Sequence, residues 1–506
     1  MRPLRSPALL LLALLTSPSA LVRAAEDDAA TTPPPEVPPP ASFVTEHSGV
    51  FGGRTVRYHA VAGETHLTDE DGEPVAALFS IAYVEADAGP ERPVTFVFNG
   101  GPGSASVWLH MGMFGPERVR VASDADADDG AAPWVVEPNP ATLLDVTDLV
   151  FVDPIGTGFS RVVGAGRTED FWSLEGDADS LAQFVRRWIT EHERWNAPKY
   201  LIGESFGTTR AALIAKTLGQ DGQDVALNGI VMVSQAMDYT GSTPSGDNLL
   251  SYVTYLPSMA ATARYHGRAG AGTELEAFVQ EARDFAIAEY LPALFRGSAL
   301  EETERTRIAT ELARLTGLDR EYVLRSDLRV RLPRFLKELL RDRGLAVGRL
   351  DGRYTADEAD DVADTPRLGD AASNAISSAY TAALNHYLRT ELAVRMDRPY
   401  RTSNRAVGQN WNYRPVPLGQ SWEPSYVNTA RALSDALRKN GDLRVLVANG
   451  YYDLVTPFLD AEYTLGRHGI LRDRIDMTYY EAGHMMYVHE PAFEALVRDV
   501  RAFYAD

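Results

Sequence analysis

The chain has 506 residues, 45% of them hydrophobic and 24% charged, with a formal net charge of -21. Such a composition buries a large core and excludes global disorder, and the acidic excess excludes the basic footprint of a nucleic-acid binder. The absence of cysteine excludes disulfides, thiolate metal sites, iron–sulfur clusters and a cysteine nucleophile.

Residues 1–25 read as a secretory signal: Arg2 and Arg5, the apolar run 8–15, then small residues up to Ala24 and Ala25. The run is too short to span a bilayer as a stable helix, although an uncleaved anchor is the competing reading. Residues 26–41 form an acidic, proline-rich tether that cannot pack a core. Short β-like runs follow at 54–60, 74–84 and 94–98, the last apolar apart from Thr95, as in a strand buried on both faces. Residues 122–132 read as a surface loop and 149–152 as another buried strand. The spacing predicts a helix over 172–195, a strand at 200–202, a helix over 208–218 closed by Gly219, and a strand at 229–233.

Strands alternating with helices imply an α/β fold with a mostly parallel sheet. The alternation stops near residue 240. Residues 241–425 carry helical runs at 273–295, 300–315, 326–342 and 369–396. It resumes with a helix at 426–439, a strand at 443–449, a β-like run at 475–481 and a terminal helix at 490–504. The economical division is signal 1–25, linker 26–41, an α/β core over 42–240 and 426–506, and a helical cap insertion between its halves.

Gly203-Glu204-Ser205-Phe206-Gly207 stands between a strand and a helix, the context of a nucleophile elbow. Alone the motif is weak, and an inert serine in a glycine-rich turn also fits. A serine hydroxyl needs a base in contact, and the base needs an orienting acid. Asp453 and His484 each follow a strand-like run, in the chain order acid then histidine, on the sheet edge where open α/β sheets hold ligands. His489 is the second choice of base and Asp460 the rival orienter. Asn99–Gly103 follows a buried strand; its glycines allow close backbone approach to a substrate and offer N–H groups to an oxyanion, although a plain tight turn fits too. No metal or cofactor is assigned, because His484 and His489 lack a metal-binding helical spacing.

Five stretches in order, at 96–106, 149–161, 200–211, 449–458 and 481–487, resemble the serine carboxypeptidase family (peptidase family S10), in wording closer to its bacterial members. The resemblance implies an α/β-hydrolase fold with Ser205 as nucleophile, His484 as base and Asp453 as orienter. It implies an oxyanion hole at the N–H groups of Gly101 and Phe206, and substrate binding by Asn99, Gly100 and Glu204. One departure stands out: the family carries a glutamate just before a Gly-Pro, where this chain has Met113 before Phe114-Gly115-Pro116. The expectation is an exported, periplasmic or secreted serine carboxypeptidase acting on peptides through an acyl-enzyme. It would have no nucleic-acid partner and no stable membrane span once the signal is removed; its oligomeric state is not legible. An esterase or acyltransferase on the same scaffold is the alternative, and a non-catalytic binding protein a third reading.

Overall fold

The computed structural model describes residues 37–122, 125, 130–220, 222–414 and 425–505. The signal read at 1–25, residues 26–36 of the tether, and most of the 122–132 loop lie outside them.

Nine strands carry the architecture: β1 (Ser42–Phe51), β2 (Arg54–Thr68), β3 (Pro74–Glu85), β4 (Val94–Phe98), β5 (Asp148–Val152), β6 (Lys199–Glu204), β7 (Gly229–Val233), β8 (Arg444–Gly450) and β9 (Ile475–Tyr480). They form one sheet in the order β1-β2-β3-β5-β4-β6-β7-β8-β9, with the two-residue strand Arg161–Val162 added to β3. From β5 to β9 all neighbours are parallel; β1, β2 and β3 form an antiparallel edge.

The central strands are mostly apolar because both faces are covered, and successive side chains serve opposite cores. Phe96, Leu201, Ile230, Met232, Val445 and Val447 join one core with α1 (Leu174–Glu191), α2 (Phe206–Leu218) and α5 (Ala430–Lys439). Val97, Ile202, Val231, Val233, Leu446 and Ala448 join the other, with α4 (Ala371–Thr390) and α7 (Glu490–Ala505). Helix α1 falls within the stretch 172–195 expected to be helical but starts two residues later, where the Ser173 hydroxyl accepts the Gly176 N–H at 3.0 Å, a cap that satisfies one orphan donor.

Between β7 and β8 the chain is mostly helical, beginning with α3 (Leu249–Tyr265). A third core joins α3, the helices at Leu275–Phe285 and Glu302–Thr316, and α6 (Phe458–Leu465), which follows β8. Of the helical run expected at 326–342 only Leu332–Glu338 forms an α-helix; a separate helix, Arg320–Arg325, ends before it, and Asp327 and Leu328 between them take left-handed φ values of 55° and 60°. Among the described residues no helix is long and apolar enough to cross a membrane.

Candidate active site

Ser205 occupies the junction of β6 and α2 with φ = 58°, a conformation that costs a non-glycine residue roughly 1–3 kcal/mol. Its N–H is held by the Val233 carbonyl at 2.9 Å. Three glycines let backbone pack on backbone around it. A Cβ on Gly203 would lie 2.3 Å from the Gly207 carbonyl oxygen, one on Gly207 2.6 Å from that of Phe98, and one on Gly100 2.5 Å from the Phe206 nitrogen. The Asn99-Gly100-Gly101 turn therefore sits directly against the start of α2. Neither the Gly101 nor the Phe206 amide donates to another group among the described residues. Both remain available to an oxyanion.

His484 and Asp453 arrive from the ends of β9 and β8. His484 Nδ1 lies 2.7 Å from Asp453 Oδ2. Asp453 Oδ1 accepts the N–H groups of Val455 (2.7 Å) and Thr456 (3.0 Å), and the Thr456 hydroxyl donates to Oδ2 at 2.7 Å. A carboxylate oxygen so placed accepts the imidazole hydrogen on Nδ1, leaving Nε2 as a base. Burial pulls the His484 pKa down, but the charge and hydrogen bond of Asp453 outweigh it and the net shift is upward.

Ser205, His484, Asn99, Gly100, Gly101 and Glu204 line one cavity of about 360 Å³. Asp453 stands behind His484, and Phe206 is buried immediately after the serine. Trp108 and Met485 also line the cavity. Glu204 is buried; burial pushes its pKa up to about 7, against the pull of His484 and of the Tyr487 hydroxyl, which donates to Oε2 at 2.6 Å. A carboxyl with a folded pKa above its ordinary 4.5 holds a proton that the unfolded chain releases, so stability falls as pH rises from 4.5 to 7 and then levels. The Glu204→Gln variant should lose roughly 3 kcal/mol less than the parent over that interval. Asp153 and Glu117 contribute the same sign in both proteins. Parallel curves in urea unfolding at a series of pH values would refute this assignment.

Behind the turn lies a group that residue patterns did not single out. Arg210, on α2, is fully buried; its Nε donates to Asp177 of α1 at 2.5 Å and its Nη1 to the Asn99 carbonyl. Removing one partner of a buried pair leaves an uncompensated charge. Arg210→Met is expected to cost roughly 3–5 kcal/mol, read from the urea midpoint.

A second such feature is the segment from Arg349 to Arg353, which straps both loops. The Arg349 carbonyl accepts the Leu454 N–H (3.1 Å), the Leu350 carbonyl accepts the His484 N–H (2.6 Å), and Asp351 Oδ2 accepts the Gly483 N–H (3.0 Å). Asp351 is itself paired with Arg353 at 2.6 Å. The other sequence candidates lie elsewhere. His489 does not line the cavity, and Asp460 lies in α6 facing Gly241. Met113 is buried in the core beside α4, away from the cavity wall.

Residues 67–263 match the model of the Peptidase_S10 family, serine carboxypeptidase. Over these residues the chain is similar to the serine carboxypeptidase family. The match contains the Asn99 turn and the Ser205 elbow; Asp453 and His484 lie beyond it. Serine carboxypeptidase-like 16 of Arabidopsis thaliana is 26% identical over 165 residues, 31% of this chain and 36% of that protein. The pheromone-processing carboxypeptidase KEX1 of Cryptococcus gattii is 33% identical over 139 residues, 27% of this chain and 19% of that one. The chain thus aligns with only about a third and a fifth of the lengths of these two relatives. Kex1(delta)p, a prohormone-processing carboxypeptidase from Saccharomyces cerevisiae, superposes with a TM-score of 0.52 at 15% identity, covering 88% of this chain and 91% of that one. The fold is that of the α/β-hydrolases.

Proposed function

We propose that this chain hydrolyses the C-terminal peptide bond of peptides, with Ser205 as nucleophile, His484 as base and Asp453 as its orienter. The observation that carries the reading is the His484–Asp453 hydrogen bond of 2.7 Å at the wall of the cavity that Ser205 also lines. Ser205 Oγ attacks the carbonyl carbon while His484 Nε2 takes its proton. The oxyanion is held by the N–H groups of Gly101 and Phe206, where preorganised donors lower the barrier without reorganisation. The protonated imidazole returns the proton to the leaving amine, and water repeats the sequence on the acyl-enzyme. Asn99, Gly100 and Glu204 form the substrate-facing wall. The helical region 241–425 caps the pocket as an insertion in the core.

The signal read in residues 1–25 would make the enzyme an exported one, periplasmic or secreted. An esterase or acyltransferase is the second reading, favoured by Met113, which is buried in the core and offers the cavity no acidic group.

Mass spectrometry of a peptide mixture after incubation tests the function. Stepwise loss of C-terminal residues is expected. Internal cleavage, or turnover of esters with intact peptides, would overturn it.

A further inference from the structure

The cavity contains one cation whose purpose the steps above leave unassigned. Arg349 lines the same cavity as Ser205 and His484, its side chain is exposed, and its guanidinium forms no hydrogen bond or ion pair with another described residue. Its backbone, by contrast, is fixed on both sides. The N–H is held by Asp370 Oδ2 and the carbonyl accepts the Leu454 N–H, one residue past Asp453. Leu350, next in the chain, is bonded to the His484 N–H. The charge is therefore presented from a segment tied to both loops, while its donors stay uncommitted.

The cavity's acids do not take it up. Glu204 is engaged by the Tyr487 hydroxyl. Asp370 caps α4 through the Ser373 N–H at 2.8 Å and accepts the backbone N–H groups of Arg349 and Leu350. A planar guanidinium with five donors matches a carboxylate in a bidentate fork better than any neutral group.

We propose that Arg349 binds the free terminal carboxylate of the peptide substrate and so selects the C-terminal bond for cleavage. This rests on the peptidase reading above. It also supplies the carboxylate recognition that Met113, packed in the core, does not.

The test compares an N-blocked dipeptide with a free C-terminal carboxylate and the same dipeptide as its C-terminal amide. The quantity read is the ratio of their kcat/KM values. The parent enzyme should prefer the acid. Arg349→Gln should lower the ratio roughly 10- to 100-fold, mainly through KM, and Arg349→Lys should fall between them. Thermal unfolding of both variants should match the parent, since the side chain is exposed and bonded to no described residue. A parental ratio in Arg349→Gln would overturn the assignment of Arg349 while leaving the peptidase reading intact. A parental ratio near one would do the same. A parent that cleaves a p-nitrophenyl ester but neither dipeptide would overturn both.

Discussion

Ser205→Ala is expected to lower kcat by about 10⁵- to 10⁶-fold on peptide substrates, the loss seen when a hydrolase nucleophile acting with its base is removed. What survives should be the smaller acceleration from the oxyanion donors and binding alone. The fold should survive too, because alanine meets the same φ of 58° that serine does and the Val233 bond uses only the backbone. Ser205→Gly separates the two roles of the position. Glycine relieves the left-handed strain, so this variant should be equally dead yet more stable by about 1 kcal/mol, less the entropy that glycine adds to the unfolded chain. Paired measurements of peptide turnover and urea midpoint on the two variants check this. Peptide hydrolysis retained in either would remove Ser205 as nucleophile, and an unchanged midpoint in the glycine variant would mean the elbow stores no strain.

The residues of this site were legible to the degree that they follow uniform strands. Val94–Phe98, Lys199–Glu204 and Arg444–Gly450 are apolar nearly throughout because both faces are covered, and Asn99, Ser205 and Asp453 stand at or just beyond their ends. β1 offered no such signal: from Ser42 to Val50 its side chains alternate between exposed and half-buried, so an edge strand looks like polar loop. Helix α3 was hidden for the opposite reason. It is buried on all sides from Ser251 to Ala263 and contains Pro257, which removes both the amphipathic stripe and the expected absence of proline. Arg210 and the Arg349–Arg353 strap were not legible because their meaning lies in partners far along the chain. No spacing rule connects Arg210 to Asn99, or Leu350 to His484. Gly483 illustrates the same limit: a Cβ there would lie 2.4 Å from the Asp351 Cβ, a collision set entirely by how a segment more than a hundred residues earlier in the chain packs on this loop.

Asp453→Asn should reduce kcat/KM by about 10⁴-fold with little loss of stability, and the reason is specific to how this carboxylate is held. The N–H groups of Val455 and Thr456 both donate to Oδ1. In the asparagine variant the amide oxygen must keep that place, since an NH₂ group there would face two donors. The NH₂ then takes the position of Oδ2 and points at His484 Nδ1, now 2.7 Å from a donor instead of an acceptor. The imidazole can satisfy it only by moving its own hydrogen to Nε2. The nitrogen that should accept the serine proton then carries one already. The substitution is nearly isosteric, so the defect is one of tautomer and not of packing, and KM should change little. Steady-state kinetics on a C-terminal peptide substrate, with circular dichroism of the variant, measure both halves of this. A loss of less than tenfold would mean that another group orients the imidazole. Asp460 is a poor substitute, since it lies in α6 with its carboxylate against Gly241.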